Sequence, residues 1–315
     1  MSEFNLLKLE GKPLTKLIEV VSQGIGTLYR PRKLRKEADA KAYEIFTIER
    51  AKALAIKEGK EIELESYLRI QERLMGVEAN RQNNIDAVVE IAGKELSEAE
   101  DISEEPINKD WTRRFFNYAQ DVSDEEVQFL WGKILAGELK KPGSFSLKTL
   151  NTLSNLTRNE ANILIELSQL IITVGSMSFI WLKNDIDYLK KYVKFGMREG
   201  IVMLEADILT SLLSFKFNLS STEKQKGNAF YKIGNKGFVH IHTGKLDSMN
   251  ITALKLTTVG KQLISLIEPK FNKQYFDELM QYISIVSDRE IYQGDYFIQD
   301  SGEPVLKNKV KFRSR

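Results

Sequence analysis

Three groups of residues in this chain have types and spacings that could do chemistry. The first is Lys140-Lys141-Pro142-Gly143-Ser144, which follows an apolar segment carrying Trp131. Two ammonium groups beside glycine and serine amides can hold an anion, because glycine lets backbone N–H groups face a phosphate. A nucleotide-binding phosphate loop needs a different glycine spacing, Gly-x-x-x-x-Gly-Lys-Ser/Thr, and a preceding strand. Here a helical pattern precedes the loop. The expected reading is a helix stop at Gly137, a rigid Pro142-Gly143 turn and an N-cap at Ser144 or Ser146. The second group is Arg30, Arg32, Lys33, Arg35 and Lys36, five cations in seven residues beside an amphipathic stretch. Such a run touches phosphates on nucleic acid or lipid, or simply begins a solvated helix. The third is His240 and His242, the chain's two histidines, which alternate onto one strand face. With Asp247 they would make three metal ligands, but a solvated or hydrogen-bonded pair is the expectation.

The remaining candidates are weaker. Gly24-Ile25-Gly26 lacks the third glycine of a dinucleotide fingerprint. Glu104/Glu105 and Glu125/Glu126 sit in an acidic stretch and at a helix start, where carboxylates serve helix electrostatics rather than proton transfer. Asp110 and Arg113 are spaced for an ordinary surface pair, and Trp111 and Trp131 read as core anchors. No catalytic residue, cofactor, metal site or small-molecule substrate is therefore expected.

Composition sets the outer limits. The chain has 315 residues, 42% hydrophobic and 29% charged, enough to build a core. It contains no cysteine, which removes disulfides, thiol nucleophiles and thiolate metal sites. A formal charge of +2 excludes a chain that is basic throughout. No apolar run reaches the roughly 18 residues of a spanning helix, and no secretory signal is visible. The expected location is the cytoplasm, with peripheral attachment to the inner membrane as the alternative.

The elements that must position these residues follow from periodicity. Leu14, Leu17, Ile18, Val21, Ile25 and Leu28 recur at helical spacing, with Gly24 and Gly26 weakening the helix. Residues 32–58 read as an alanine-rich helix and 62–96 as a second long one, together a protruding hairpin or intermolecular coiled coil. A polar patch in the second helix, with Asn80, Asn83 and Asn84, is expected to set register or oligomer state. Residues 97–110 read as an acidic linker. A compact helical core follows, with a capping box expected at Ser123–Glu126. After a second box at Thr157–Glu160, strands 178–182 and 249–256, a short helix 206–213, a hairpin around Gly234–Gly237 and a helix capped by Thr257 or Thr258 are expected. The expected fold is mainly α with a smaller α+β part whose C-terminal half resembles a winged helix with β-hairpins. The expected domains are 1–105, 106–156, 157–290 and a basic β-hairpin tail, 291–315. In that tail Lys307, Lys309, Lys311, Arg313 and Arg315 would share one face of an alternating strand, with the same choice between phosphate contact and a solvated run.

Four stretches carry a family resemblance: residues 26–41, "RQNNID" (81–86), the run 110–161, and "LTTVGKQL" (256–263). They resemble the bacterial family DUF2806, over most of residues 14–268. The "LSNLTRNEA" style of helix start is also similar to the abortive-infection alpha proteins (DUF4393). That resemblance implies a role in phage exclusion and brings no catalytic residues.

Together these readings lead us to expect a non-catalytic, self-associating bacterial accessory protein that recognises a protein or nucleic-acid partner. The alternatives are a DNA-binding winged-helix regulator and a membrane-acting effector that uses residues 14–36 on an anionic surface.

Overall fold

Gly26 decides where the first helix stops. The backbone there turns left-handed, φ 75°, and its N–H bonds the Ser22 carbonyl, so α1 runs from Lys12 to Ile25. Gly24 lies within α1, and it permits contact rather than weakness. A Cβ there would fall 2.0 Å from Phe116 Cδ2. The computed structural model describes residues 11–31, 61–97, 102–212, 215–219, 228–241, 249–268, 270–286, 290–299 and 301–312. The expected helix 32–58 lies outside them. The chain divides into two compact units, Met1–Ser154 and Asn155–Arg315. The expected pieces 1–105 and 106–156 thus fall almost wholly in the first unit, and 157–290 and 291–315 in the second.

In the first unit, α2 spans Glu61–Ser97 as one uninterrupted helix of 37 residues. Its C-terminal part buries Ile85, Val88, Val89, Ala92 and Leu96. It packs on α4, Glu125–Lys140. Their approach is close at Gly132, where a Cβ would meet Ile91 Cγ2 at 2.4 Å and the Val88 carbonyl at 3.1 Å. Between them in sequence lies α3, Lys109–Ala119, capped by Asn108 Oδ1, which accepts from the Asp110 and Trp111 N–H groups. The core centres on Phe115, stacked on Trp111 and edge-on to Phe116 and Trp131. The unit ends with α5, Leu147–Ser154.

Two local expectations need correction here. The cap of α4 is Asp124, whose carboxylate accepts from the Glu126 and Val127 N–H groups at 3.0 and 3.1 Å. Ser123 does not form the expected box, because the residue one step later is an equally good acceptor. Residues 102–107 are also no free linker. Ile102 and Ile107 are buried, and the Lys16 ammonium on α1 donates to the Ser103 and Glu105 carbonyls.

The second unit opens on α6, Arg158–Ser168, with the expected capping box in place. Glu160 N–H donates to Thr157 Oγ1 at 3.3 Å, and Thr157 N–H to Glu160 Oε2 at 2.6 Å. Eight strands then build one sheet: β1 (Ile171–Val174), β2 (Met177–Leu182), β3 (Phe215–Leu219), β4 (Asn228–Ile233), β5 (Lys236–Ile241), β6 (Met249–Lys255), β7 (Glu290–Ile298) and β8 (Pro304–Lys311). Their order is β3-β6-β2-β1-β4-β5-β7-β8, antiparallel in every pairing. The tail hairpin β7–β8 therefore extends the same sheet. A turn at Gly234-Asn235, with Gly234 at φ 56°, closes the hairpin β4–β5.

Helices α7 (Met197–Glu205), α8 (Thr258–Ile264, capped by Thr257) and α9 (Lys273–Val286) complete this unit. The expected helix 206–213 is not one over its described residues, 206–212. Asp207 sits at φ 57°, Leu209 bridges Leu256, and the Ile208 carbonyl accepts from Thr257 N–H. Strand pairing takes up the backbone that a helix would have used. Gly260 lets this stretch come close, since a Cβ there would lie 2.4 Å from the Ile208 oxygen.

Candidate interaction surfaces

The loop after α4 is an anion cradle that already holds an anion of its own chain. Glu138 lies on the buried stripe of α4 with Trp131, Leu135 and Leu139. Its carboxylate accepts from Gly143 N–H at 2.6 Å and from Phe145 N–H at 3.0 Å. Burial pushes this carboxyl above its usual range, opposed by the N–H groups of Gly143, Phe145 and Ser144. Trp111 Nε1 fastens the same loop by donating to the Phe145 carbonyl at 2.7 Å. Gly143 takes the left-handed conformation, φ 82°. Ser144 Oγ donates to the Lys141 carbonyl, and Ser146 caps α5 through Thr149 N–H. Lys140 is half-buried and Lys141 exposed at the end of α4. The sequence signal for Glu138 was a charged residue at a core position, which burial makes untenable without donors.

The polar stretch of α2 divides in two. Asn80 and Asn83 are exposed. Asn84 is half-buried and donates to the Gln120 carbonyl at the end of α3, while accepting from Gln128 Nε2. Arg81 pairs with Asp121 and Glu78, which raise its guanidinium above its ordinary value. Asp86, buried, accepts from Tyr29 Oη at 3.0 Å and Gln82 Nε2 at 3.1 Å. Residues 81–86 thus clamp the segment after α1 and the turn between α3 and α4 onto α2.

N-terminal to that clamp, the apolar stripe continues into solvent. Ile70, Leu74 and Val77 are 57%, 53% and 39% exposed. At 100° per residue they lie in line with Val88 and Ala92, which are buried. Arg30 is exposed, and Arg32, Lys33, Arg35 and Lys36 lie outside the described residues. Leu17, Val20 and Val21 of α1 are buried within the first unit.

The second unit holds a polar aromatic cluster that periodicity did not reveal. Trp181 on β2 is surrounded by the rings of Tyr188, Tyr275 and Tyr282 at 5.2–5.9 Å. Tyr275 Oη accepts from Trp181 N–H at 2.8 Å and donates to the Trp181 carbonyl at 3.1 Å. It serves as the strand partner that β1 is too short to provide. Tyr188 shares a hydroxyl hydrogen bond with Tyr192 and donates to Glu278, which also pairs with Lys191. Burial pushes the Tyr188 phenol up to about 12 and Tyr192 and Tyr275 higher. Such phenols stay protonated at neutral pH, and their hydroxyls tie β2, Glu278 and one another together by hydrogen bonds.

The sheet's other end has an open face. Phe230, Val239, Tyr292 and Lys311 form one row across β4, β5, β7 and β8. Lys232, Gly237 and Gly294 form the next. Tyr296 and Leu306 cover Gly237, whose Cβ would lie 2.8 Å and 2.9 Å from their side chains. Lys309 Nζ stands 4.1 Å over the Tyr292 ring, and Lys232 Nζ 5.8 Å from Tyr296. The reverse face is core, with Tyr231 stacked on Phe238, itself edge-on to Phe276 of α9. The three tail lysines do not share a face as expected. A bulge at Asn308, φ 53°, puts Lys307 with Asp295 on the reverse face and leaves Lys309 and Lys311 on the open one.

His242, Asp247, Arg313 and Arg315 lie outside the described residues. Among the described residues no group of three or more His, Cys, Asp or Glu is placed to hold a metal ion. No helix among them is long and apolar enough to cross a membrane. The family model described as protein of unknown function (DUF2806) matches residues 68–280, more than half of the chain, which therefore belongs to that family. No curated protein and no solved structure matches it.

Proposed function

We propose that this member of DUF2806 is a non-catalytic, self-associating bacterial accessory protein that acts by recognising a protein or nucleic-acid partner. The observation that carries the reading is the stripe Ile70–Leu74–Val77. It extends the core-facing line of a helix whose other end is clamped into a folded unit. A second copy of the chain is the occupant we assign to it, because an apolar stripe at this spacing pairs well with its own kind. Size-exclusion chromatography with light scattering at micromolar concentration tests this. The wild type should run as a dimer or larger, and Ile70→Glu with Leu74→Glu should run as a monomer with unchanged circular dichroism. A monomeric wild type sinks the assembly reading.

The recognition role is assigned to the α+β unit, whose helix–strand–hairpin–strand–helix order supports a winged-helix likeness. A duplex-reading regulator is the weaker version, because α7 carries Arg198 against Glu199 and Glu205 and exposes Met197, Ile201 and Leu204. The membrane reading is weakened by the burial of α1's apolar residues. Phage exclusion, as in the abortive-infection alpha proteins, is the setting we propose. Plaque counts on cells with and without the protein test it, and no reduction across a phage panel would count against it.

A further inference from the structure

We infer that the open face of β4, β5, β7 and β8 binds single-stranded nucleic acid. This goes beyond self-association and does not depend on it. Phe230, Tyr292 and Tyr296 are half-buried aromatic residues on one side of the sheet. Lys232, Lys309 and Lys311 are exposed on that same side. Among the described strand residues of this face, Glu290 is the one carboxylate, and it is engaged by Lys311 and by Tyr292 Oη. The face is thus cationic and ring-bearing, against a chain that is close to neutral overall.

The ordinary explanation of lysines on β8 is edge protection. Charged side chains and a bulge keep a sheet's last strand from pairing with another chain. That accounts for Lys307 and the Asn308 bulge. It does not account for Lys232, which stands on β4, three strands inward from β8. Nor does it account for lysines positioned over tyrosine rings on the open side. A base that stacks on these rings would take the place the flexible lysine ammonium groups hold over them, leaving those groups beside it for the phosphates. Gly237 and Gly294, paired in register, have no side chain of their own, and the space over Gly237 is filled by Tyr296 and Leu306, which adds an apolar floor beside the rings. A single strand fits this arrangement because its bases are free to stack. A duplex keeps its bases stacked internally and would meet the lysines alone.

Fluorescence anisotropy of the full chain with labelled oligothymidine, oligouridine and a matched duplex tests the inference. Both single strands should bind at about 50 mM salt, more tightly than the duplex, and weaken as salt rises. Tyr292→Ala should weaken binding at least roughly fivefold, while Tyr292→Phe, which keeps the ring, should leave it close to wild type. Lys309→Gln should lower the salt slope by about 0.7. Thermal melts of each variant distinguish lost contacts from lost folding, and Lys309, exposed on the edge strand, is the position least coupled to folding. Three results would each overturn the inference: no binding of either single strand, equal or tighter binding of the duplex, or binding unchanged by Tyr292→Ala and Lys309→Gln in folded protein.

Discussion

Glu138 turns what reads as an anion-binding loop into an internal joint. A buried carboxylate needs donors, and the amides of Gly143 and Phe145 are in reach at 2.6 and 3.0 Å. Those amides are then committed to the protein's own charge. Glu138→Gln keeps the size but offers one acceptor and an NH2 group to a site built from donors. It should destabilise the protein by about 1–3 kcal/mol, read as a lower denaturant midpoint at unchanged slope. Glu138→Gln also tests the electrostatics. Its folded carboxyl is raised, so the stability it contributes is complete below the ordinary carboxylate range. That contribution is lost as pH rises through the raised value. Thermal melts across the acid range should therefore show a fall on raising pH in the wild type that the variant lacks. Residue-scale corrections elsewhere have the same origin. The capping-box spacing from Ser123 to Glu126 marked Ser123 as a cap, but Asp124 was one residue away and took the role.

At the scale of elements, α2 explains most of the first unit. Its length was legible because residues 62–96 contain no proline and keep a helical stripe. Its polar stretch was legible too, but not its purpose. Asn84 and Asp86 find partners on α3, α4 and the segment after α1, contacts between residues 36 to 57 positions apart in sequence. The α2–α4 contact depends on Gly132, where an added Cβ has Ile91 Cγ2 at 2.4 Å. Gly132→Ala should therefore cost about 1–3 kcal/mol despite alanine's better helix propensity, measured by chemical denaturation. Two elements escaped the sequence reading for different reasons. Strand β1 is four residues long and closely follows a helix, too short for an alternating pattern to stand out. Helix α9 had its signals in place, with Tyr275, Phe276, Leu279, Met280 and Ile283 at helical spacing and Asn272 Oδ1 accepting from Tyr275 N–H.

For the whole molecule, charge and pH give the check. Glu278 is opposite in sign to Glu138. Burial would raise it, but hydrogen bonds from Lys191, Tyr192 and Tyr188 outweigh that and hold it below its ordinary range. Its contribution is present above the ordinary carboxylate range and lost as pH falls through its depressed value. Glu278→Gln should therefore flatten the acid-side loss of thermal stability seen in the wild type. What the sequence alone determined was local: helix lengths from spacing and proline, a cap at Thr157 and one at Thr257 or Thr258, the hairpin around Gly234–Gly237, the absence of thiol chemistry and the family. These depend on residues within a few positions of each other, where propensity and hydrogen-bonding reach decide. Only the tertiary structure decided that the tail joins one eight-stranded sheet, that Asn308 splits its lysines between two faces, and that Glu138 fills its own loop. Those outcomes rest on which distant backbone groups compete for the same donors and pairing edges, a competition that spacing along the chain does not encode.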